Sequence, residues 1–113
     1  MQYDLEERSV IFGEDIIRFC RDVKQDIITR PMINQLLRSA TSVGANYMEA
    51  NKASSKKNFR NKIKINQKEA NETKHWLRMV SVACPDKKEK CRNLWQESHE
   101  LTLIFAKISR NSE

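Results

Sequence analysis

The basic side chains of this sequence are concentrated in one segment. Residues 56–78 hold eight lysines and arginines but only two acids, and this excess of six equals the net charge of the whole 113-residue chain. A localised positive surface attracts polyanions, above all the phosphate backbone of nucleic acids. At about 100° per residue, seven of these basic residues share one flank of a helix. They are Lys56, Lys57, Arg60, Lys64, Lys68, Lys74 and Arg78.

This basic flank has two interpretations. Lysine-rich helix faces are often only solvated. A charge of one sign over about six helical turns instead favours contacts with phosphate, which position a nucleic acid without reading its bases. We expect no stacking platform of the single-strand binding type, because Phe59 belongs to the apolar stripe of the same helix.

A third side of the same helix predicts a subunit contact. An isolated bundle does not need a second apolar seam, and exposed apolar stripes usually mark interfaces. The alternative is a wide core face whose two acids balance lysines. This seam consists of Ile65, Glu69, Glu72, Trp76 and Met79, at steps of four and three. The preceding helix carries a ridge of mostly small polar residues that suits a neighbour, and it adds Arg38, Ser42, Asn46 and Glu49 to the predicted interface.

Ion pairs are expected to join these two helices. Counting outward from the turn between them places Arg38 near Glu69, and Glu49 near Lys57 or Arg60. A pair within or between subunits is a better interpretation than a catalytic site, because such pairs commonly fix geometry.

Signals for catalysis are weak. His75 and His99 are the only histidines, and neither belongs to a spaced ligand pair such as His-Glu-x-x-His. Glu69 and Glu72 resemble half of a carboxylate metal site, but the Glu-x-x-His motifs of di-iron bundles are missing. We therefore expect no enzymatic activity, no metal and no cofactor, with a small metal-dependent enzyme as the remaining alternative.

The cysteines and the hydropathy indicate a cytoplasmic protein. Cys20, Cys84 and Cys91 lack metal-like spacing, and an odd number favours reduced thiols, with a Cys84–Cys91 bridge as the alternative. No apolar run approaches the roughly 18 residues of a membrane span. The first residues also lack the basic and apolar regions of a secretory signal.

Apolar residues repeat at helical spacing along the chain. Gly and Pro occur only twice each, and 32% of the residues are charged, which favours a folded helical protein over a disordered chain or a sheet. We predict helices at residues 4–24, 30–51, 56–83 and 87–110. Short connections imply antiparallel neighbours, so the predicted fold is a single all-α domain spanning residues 1–113, an antiparallel up-down-up-down four-helix bundle.

The predicted connections have specific features. The segment 25–29 is expected to turn while burying Ile27 and Ile28. The N-caps of the last three helices are expected at Thr29, at one of the two serines 54 and 55, and at Asp86. Two polar residues in the core stripe of the third helix, Asn66 and Thr73, require hydrogen-bond partners.

Several stretches resemble the family of 23S rRNA intervening-sequence proteins. The resemblance covers nearly the whole chain and is most specific through the second and third helices. The sequence departs from the family at Ala40-Thr41, where relatives often have Gly-Thr, and at Met48, where an arginine is common; the second change removes a charge from the outer face. The matching stretches are Asp4-Leu5-Glu6-Glu7-Arg8, Asn34-Gln35-Leu36-Leu37-Arg38-Ser39-x-x-Ser42-Val43-Gly44-Ala45-Asn46-Tyr47-x-Glu49-Ala50, Ser55-Lys56-Lys57-x-Phe59 and Lys68-Glu69-Ala70-Asn71-Glu72-Thr73-x-x-Trp76-Leu77.

The resemblance implies a bacterial cytoplasmic four-helix bundle that forms a homopentamer, often encoded in an insertion of a 23S rRNA gene. It implies no established enzymatic activity. A related bundle, the accessory variability determinant of diversity-generating retroelements, engages nucleic acid and a reverse transcriptase. RNA, DNA and a reverse transcriptase are therefore implied partners. The alternative is a protein–protein scaffold or accessory subunit without direct nucleic-acid binding.

Overall fold

The computed structural model describes residues 4–113, and four long helices account for most of them. They are α1 (Leu5–Arg21), α2 (Thr29–Asn51), α3 (Lys56–Ala83) and α4 (Lys88–Asn111), with a 3-10 turn at Pro85–Lys87 between the last two. The predicted bounds agree with these to within three residues at every end. The described residues contain no strand, so the all-α prediction is confirmed.

Successive helices pack against each other in antiparallel directions. The Asn66 Nδ2 atom of α3 donates to the Val43 carbonyl of α2 at 3.0 Å, and the Ser98 hydroxyl of α4 donates to the Ala70 carbonyl of α3 at 2.7 Å. Between α1 and α2, Gly44 of α2 lies against the backbone of Ser9 in α1. The contact between α1 and α4 is much narrower, and the diagonal helices α2 and α4 meet through Tyr47 and Phe105, whose ring centres lie 5.8 Å apart. These contacts fit the up-down-up-down four-helix bundle.

The core is formed by the stripes that periodicity predicts. On α3 every residue of the stripe from Ile63 to Val80 is buried, and the half-buried Phe59 and Cys84 close its two ends. Burying a large aliphatic or aromatic side chain stabilises a fold by about 1.5–3 kcal/mol. The largest fully buried side chains are Phe12, Ile16, Leu36, Ile63, Leu77, Leu101 and Phe105.

Both predicted polar core residues find partners. The Thr73 hydroxyl lies 2.8 Å from Ser39 Oγ and 2.9 Å from the Glu69 carbonyl. Ser39 of α2 is therefore a core residue, with no exposed surface. Asn66 bonds through Nδ2, while its Oδ1 atom is buried without a partner among the described residues.

The turn between α1 and α2 differs from the prediction. Ile27 is 87% exposed and Ile28 is 58% exposed, so neither is buried. The cause is local: Asp26 Oδ1 accepts from the amides of Ile28 and Thr29, both at 2.9 Å. These bonds, that of Thr29 first, hold the pKa of Asp26 below its usual value. Asp26 takes the capping role predicted for Thr29, whose hydroxyl donates to the Lys24 carbonyl instead.

The other helix starts give one confirmation and one correction. Ser55 caps α3, because its hydroxyl accepts from the Asn58 amide at 3.1 Å. Asp86 does not cap α4, because it lies inside the 3-10 turn that begins at Pro85 and runs directly into that helix. Within residues 4–113, no helix has an apolar stretch long enough to cross a bilayer.

A cluster of ion pairs connects α1 and α4 across their narrow contact. The Arg8 guanidinium forms a bidentate pair with Glu97, at 2.8 and 2.7 Å, and a further bond to Glu100 at 3.0 Å. The hydrogen bonds that Arg8 donates to the Glu97 carboxylate raise the pKa of the guanidinium. Bidentate guanidinium–carboxylate pairs are among the stronger charged contacts, so Arg8 ties these helices where apolar packing is sparse.

Candidate nucleic-acid interface

The predicted basic flank lies on the side of α3 that turns away from α2 and borders α4. Five of its members are exposed, while Arg60 and Lys74 are half-buried against the C-terminal helix. None of the seven forms an ion pair with a carboxylate among residues 4–113, whereas Arg8, Arg38 and Lys62 all do. The charge of this flank is therefore uncompensated. The exposed members are Lys56, Lys57, Lys64, Lys68 and Arg78.

The two half-buried basic residues are held by contacts with α4 and the C-terminal end. Arg60 Nη1 donates to the Ser112 carbonyl at 3.2 Å. Lys74 Nζ lies 3.1 Å from His99 Nδ1 and 5.3 Å from the centre of the Trp95 ring. An ammonium group can only donate, so His99 Nδ1 is the acceptor of this bond.

The basic surface continues onto α4. Arg78 of α3 borders a cleft of about 150 Å³ together with Lys88 and Arg92, whose charges the sequence interpretation had left unassigned. A second depression lies further along the same groove, between Lys64 and Lys68 of α3 and Thr102 of α4. The sequence does contain a pattern that predicts this extension of the basic surface. Lys88 and Arg92 are four residues apart, which places both on one side of a helix.

An aromatic side chain of α4 lies beside these charges. Trp95 of α4 is half-buried, borders the basic cleft and stacks on His99 with ring centres 5.0 Å apart and an angle of 17°. The prediction of no stacking platform rested on Phe59 of α3 and did not consider Trp95 on the neighbouring helix; it stays a prediction.

The opposite side of α3 forms the predicted contact with Arg38. The guanidinium binds Glu69 Oε2 through Nη1 at 3.0 Å, the Glu72 carboxylate through Nη2, and Gln35 through Nε. Trp76 Nε1 donates to the same Glu72 carboxylate at 2.9 Å. The predicted pair of Arg38 with Glu69 is thus an ion pair within one chain.

One predicted pair on this side is wrong. Glu49 binds Lys62 at 2.9 Å, not Lys57 or Arg60. Lys62 lies on the edge of α3 that faces α2, whereas the other two lie on the basic flank about half a turn of the helix away. The helical positions of Lys57 and Arg60 therefore point them away from Glu49.

The nine residues of the predicted interface share the outer face of the α2–α3 pair. Ile65, at the N-terminal end of the α3 residues of this face, is 48% exposed. Trp76, Met79, Ser42 and Asn46 on the same face are half-buried. The described chain covers this surface only in part, which leaves an apolar strip between charged groups. We name it the α2–α3 face; its members are Arg38, Ser42, Asn46, Glu49, Ile65, Glu69, Glu72, Trp76 and Met79.

The carboxylates considered for a metal site bind an arginine, and two of the three thiols are buried. Glu69 and Glu72 both bind Arg38. In the described part of the chain, no cluster of three or more His, Cys, Asp or Glu side chains is arranged around a metal position. The three thiols are unbridged. Burial raises the pKa of Cys20 to about 12 and that of Cys91 to about 11, so thiolates at these positions are disfavoured.

We expect Glu72→Gln to destabilise the protomer at neutral pH by about 0.5–1 kcal/mol, a discounted value because the pair is partly solvated. The Trp76 N–H bond first, and Arg38 second, lower the pKa of Glu72. A carboxylate with a lowered pKa stabilises the fold above its unfolded pKa of about 4.3 and loses that contribution as the pH falls. Urea unfolding measured at several pH values from 7 to about 3 should show that the difference in unfolding free energy between the wild type and Glu72→Gln shrinks as the pH falls.

The matched control for this change is Glu14→Gln, at an exposed carboxylate that forms no ion pair among residues 4–113. It should leave unfolding unchanged at every pH. A Glu72→Gln deficit that persists at pH 3 would assign the effect to packing of the side chain instead of its charge.

Comparisons with known proteins agree with this architecture. One solved structure is a protein of unknown function from the S23 ribosomal protein family of Bacteroides thetaiotaomicron VPI-5482, with 31% sequence identity and a TM-score of 0.82 over 92% of this chain and 96% of that chain. No curated protein is significantly similar to the chain. The sequence profile described as 23S rRNA-intervening sequence protein matches residues 2–107. The chain therefore belongs to the 23S rRNA-intervening sequence protein family.

Proposed function

We propose that this protein is a non-enzymatic, cytoplasmic homo-oligomer that binds the backbone of RNA or DNA through the basic flank of α3. One observation carries the proposal: seven basic side chains line one side of a helix without carboxylate partners in residues 4–113. The binding residues are Lys56, Lys57, Arg60, Lys64, Lys68, Lys74 and Arg78.

The contrast between the two long sides of α3 supports this assignment. On the side facing α2, Lys62 pairs with Glu49, while Arg38 pairs with Glu69 and Glu72. On the flank, by contrast, the ammonium and guanidinium groups retain donors for phosphate oxygens. Phosphate contacts of this kind supply affinity without sequence preference.

The α2–α3 face supports the oligomeric part of the proposal. An exposed isoleucine on the same helix face as half-buried Trp76 and Met79 is typical of the apolar part of an interface. About 120° of rotation separates Ile65 from the middle of the basic flank on the helix. A subunit docked on the α2–α3 face therefore leaves the flank open to a nucleic acid, and a homopentamer is the stoichiometry that we expect from the family resemblance.

A protein scaffold is the second candidate. The observation that favours it is the apolar surface at the end of the bundle where α1 turns into α2, with Ile27 and Ile28 exposed. This candidate predicts a protein partner, such as a reverse transcriptase by family analogy, whose co-purification is insensitive to nuclease.

The test of nucleic-acid binding is a salt titration. We expect the purified protein to bind a structured 23S rRNA fragment at low salt, measured by fluorescence anisotropy. The logarithm of its association constant should fall with the logarithm of salt concentration with a slope of about −4 to −6, as for four to seven phosphate contacts. No binding at low salt, or a slope near zero, would reject the proposal.

A further inference from the structure

We propose that the cleft between the C-terminal half of α3 and the start of α4 binds one unpaired nucleotide. Its phosphate contacts Arg78, Lys88 and Arg92, and its base stacks on Trp95. This inference rests on the proposed function and adds to it a preference for single-stranded segments, which contact with the backbone alone does not give.

The lining of the cleft suits the phosphate and one face of the base of such a ligand. Its volume is about 150 Å³, and Leu77 and the buried Cys91 form its apolar floor. Three cationic side chains and Ser81 line the rest, and no carboxylate does. An apolar floor with a few convergent polar groups is the usual composition of a small-ligand site.

The three cations are available for an anion. Arg78, Lys88 and Arg92 are all exposed, and none forms an ion pair among residues 4–113. The nearest acids in sequence, Asp86 and Glu89, border a separate depression on the other side of Lys88 and Arg92. Guanidinium groups match phosphate oxygens with two parallel hydrogen bonds, so two arginines and a lysine suit a phosphodiester.

Trp95 is held in a fixed position beside these cations. His99 stacks on its ring, and Lys74 Nζ lies 5.3 Å from the ring centre. His99 follows Trp95 by one helical turn, whereas Lys88 and Arg92 precede it. Side chains on a helix lean towards its N-terminus, so the ring face away from His99 points towards the cleft.

The combination of three cationic side chains with the Trp95 ring selects for unpaired bases. A base within a duplex is already stacked on both faces and cannot reach a protein ring. An unpaired base stacked on an aromatic side chain strengthens binding by about 5- to 150-fold, whatever its identity. The rest of the basic flank would then hold the neighbouring phosphates.

The experiment compares three probes on a Trp76→Phe background, in which Trp95 is the remaining tryptophan. The probes are a short oligouridylate, an abasic strand of the same length, and an RNA duplex. Oligouridylate should quench the Trp95 fluorescence, while the abasic strand should not. Trp95→Leu should weaken the oligouridylate complex by about 5- to 150-fold and change the other two by less than about twofold, whereas Trp95→Phe should retain part of the affinity.

Two double variants keep the proposal testable if the Trp95→Leu protein does not fold. Arg78→Gln with Arg92→Gln removes two exposed cations of the cleft, and Arg21→Gln with Arg30→Gln removes two exposed cations elsewhere. The first pair should weaken binding of oligouridylate more than the second pair does.

The outcomes separate the two proposals. Salt-dependent binding of all three probes that is insensitive to Trp95→Leu, or weakened equally by it for every probe, overturns the nucleotide site and leaves backbone binding intact. Failure of every probe to bind at low salt overturns both proposals.

Discussion

Replacing Lys57, Arg60, Lys64 and Lys68 with glutamine is expected to weaken RNA binding by about 100- to 1,000-fold near physiological salt. Each phosphate contact contributes about 0.7 to 0.9 to the slope of the logarithmic salt dependence. The loss of four contacts should therefore reduce the slope by about 3 to 4. Fluorescence anisotropy with the structured 23S rRNA fragment, repeated across salt concentrations, measures both quantities.

These four substitutions should leave the bundle folded. Lys57, Lys64 and Lys68 are exposed and form no ion pair within the described chain, and surface changes of this kind usually alter stability by less than about 0.5 kcal/mol. Arg60 is the exception, because its bond to the Ser112 carbonyl is lost. Circular dichroism should show an unchanged helical content and at most a small fall in the melting temperature.

The matched control removes the same charge from another surface. Arg18, Arg21, Lys24 and Arg30 are exposed residues on α1, its following turn and the start of α2. Changing all four to glutamine gives the same net charge as the flank variant. If this control loses as much affinity as the flank variant, net charge and not the basic flank determines binding.

The spacing of apolar residues and the residues that begin and end helices were sufficient to predict the fold. The alternating steps of the α3 stripe gave its buried face correctly, and Pro85 and Ser55 marked two helix ends. Counting along an antiparallel hairpin also placed Arg38 beside Glu69. These features depend on the geometry of one helix or one hairpin, which sequence spacing determines directly.

The remaining features depend on interactions that spacing does not describe. Ile27 and Ile28 are apolar, but the hydrogen bonds of Asp26 set the backbone of their turn and leave both side chains outside. Trp95 reaches the basic flank only because of how α4 is rotated against α3. Such rotations follow from packing across a whole interface, so an amphipathic pattern within α4 predicts its core face but not its neighbours.

Changing Ile65 to glutamate is expected to convert the proposed homo-oligomer into monomers. Ile65 lies on the α2–α3 face and is its most exposed apolar side chain on α3, with Glu69 one helical turn away. A carboxylate at this position would be buried at the subunit contact beside like charges, which costs several kcal/mol unless it is paired. Multi-angle light scattering should show the mass falling from about five times 13.3 kDa to a single 13.3 kDa chain.

The exposure of Ile65 makes this change a test of assembly and not of folding. Its side chain is 48% exposed in the protomer, so the folded monomer can solvate a glutamate there at little cost. The control is Val82→Glu, at a residue of the same helix that is 75% exposed and lies on the flank side. This control should keep the mass of the wild-type assembly. A Val82→Glu protein that dissociates equally, or an Ile65→Glu protein of unchanged mass, would move the subunit contact away from the α2–α3 face.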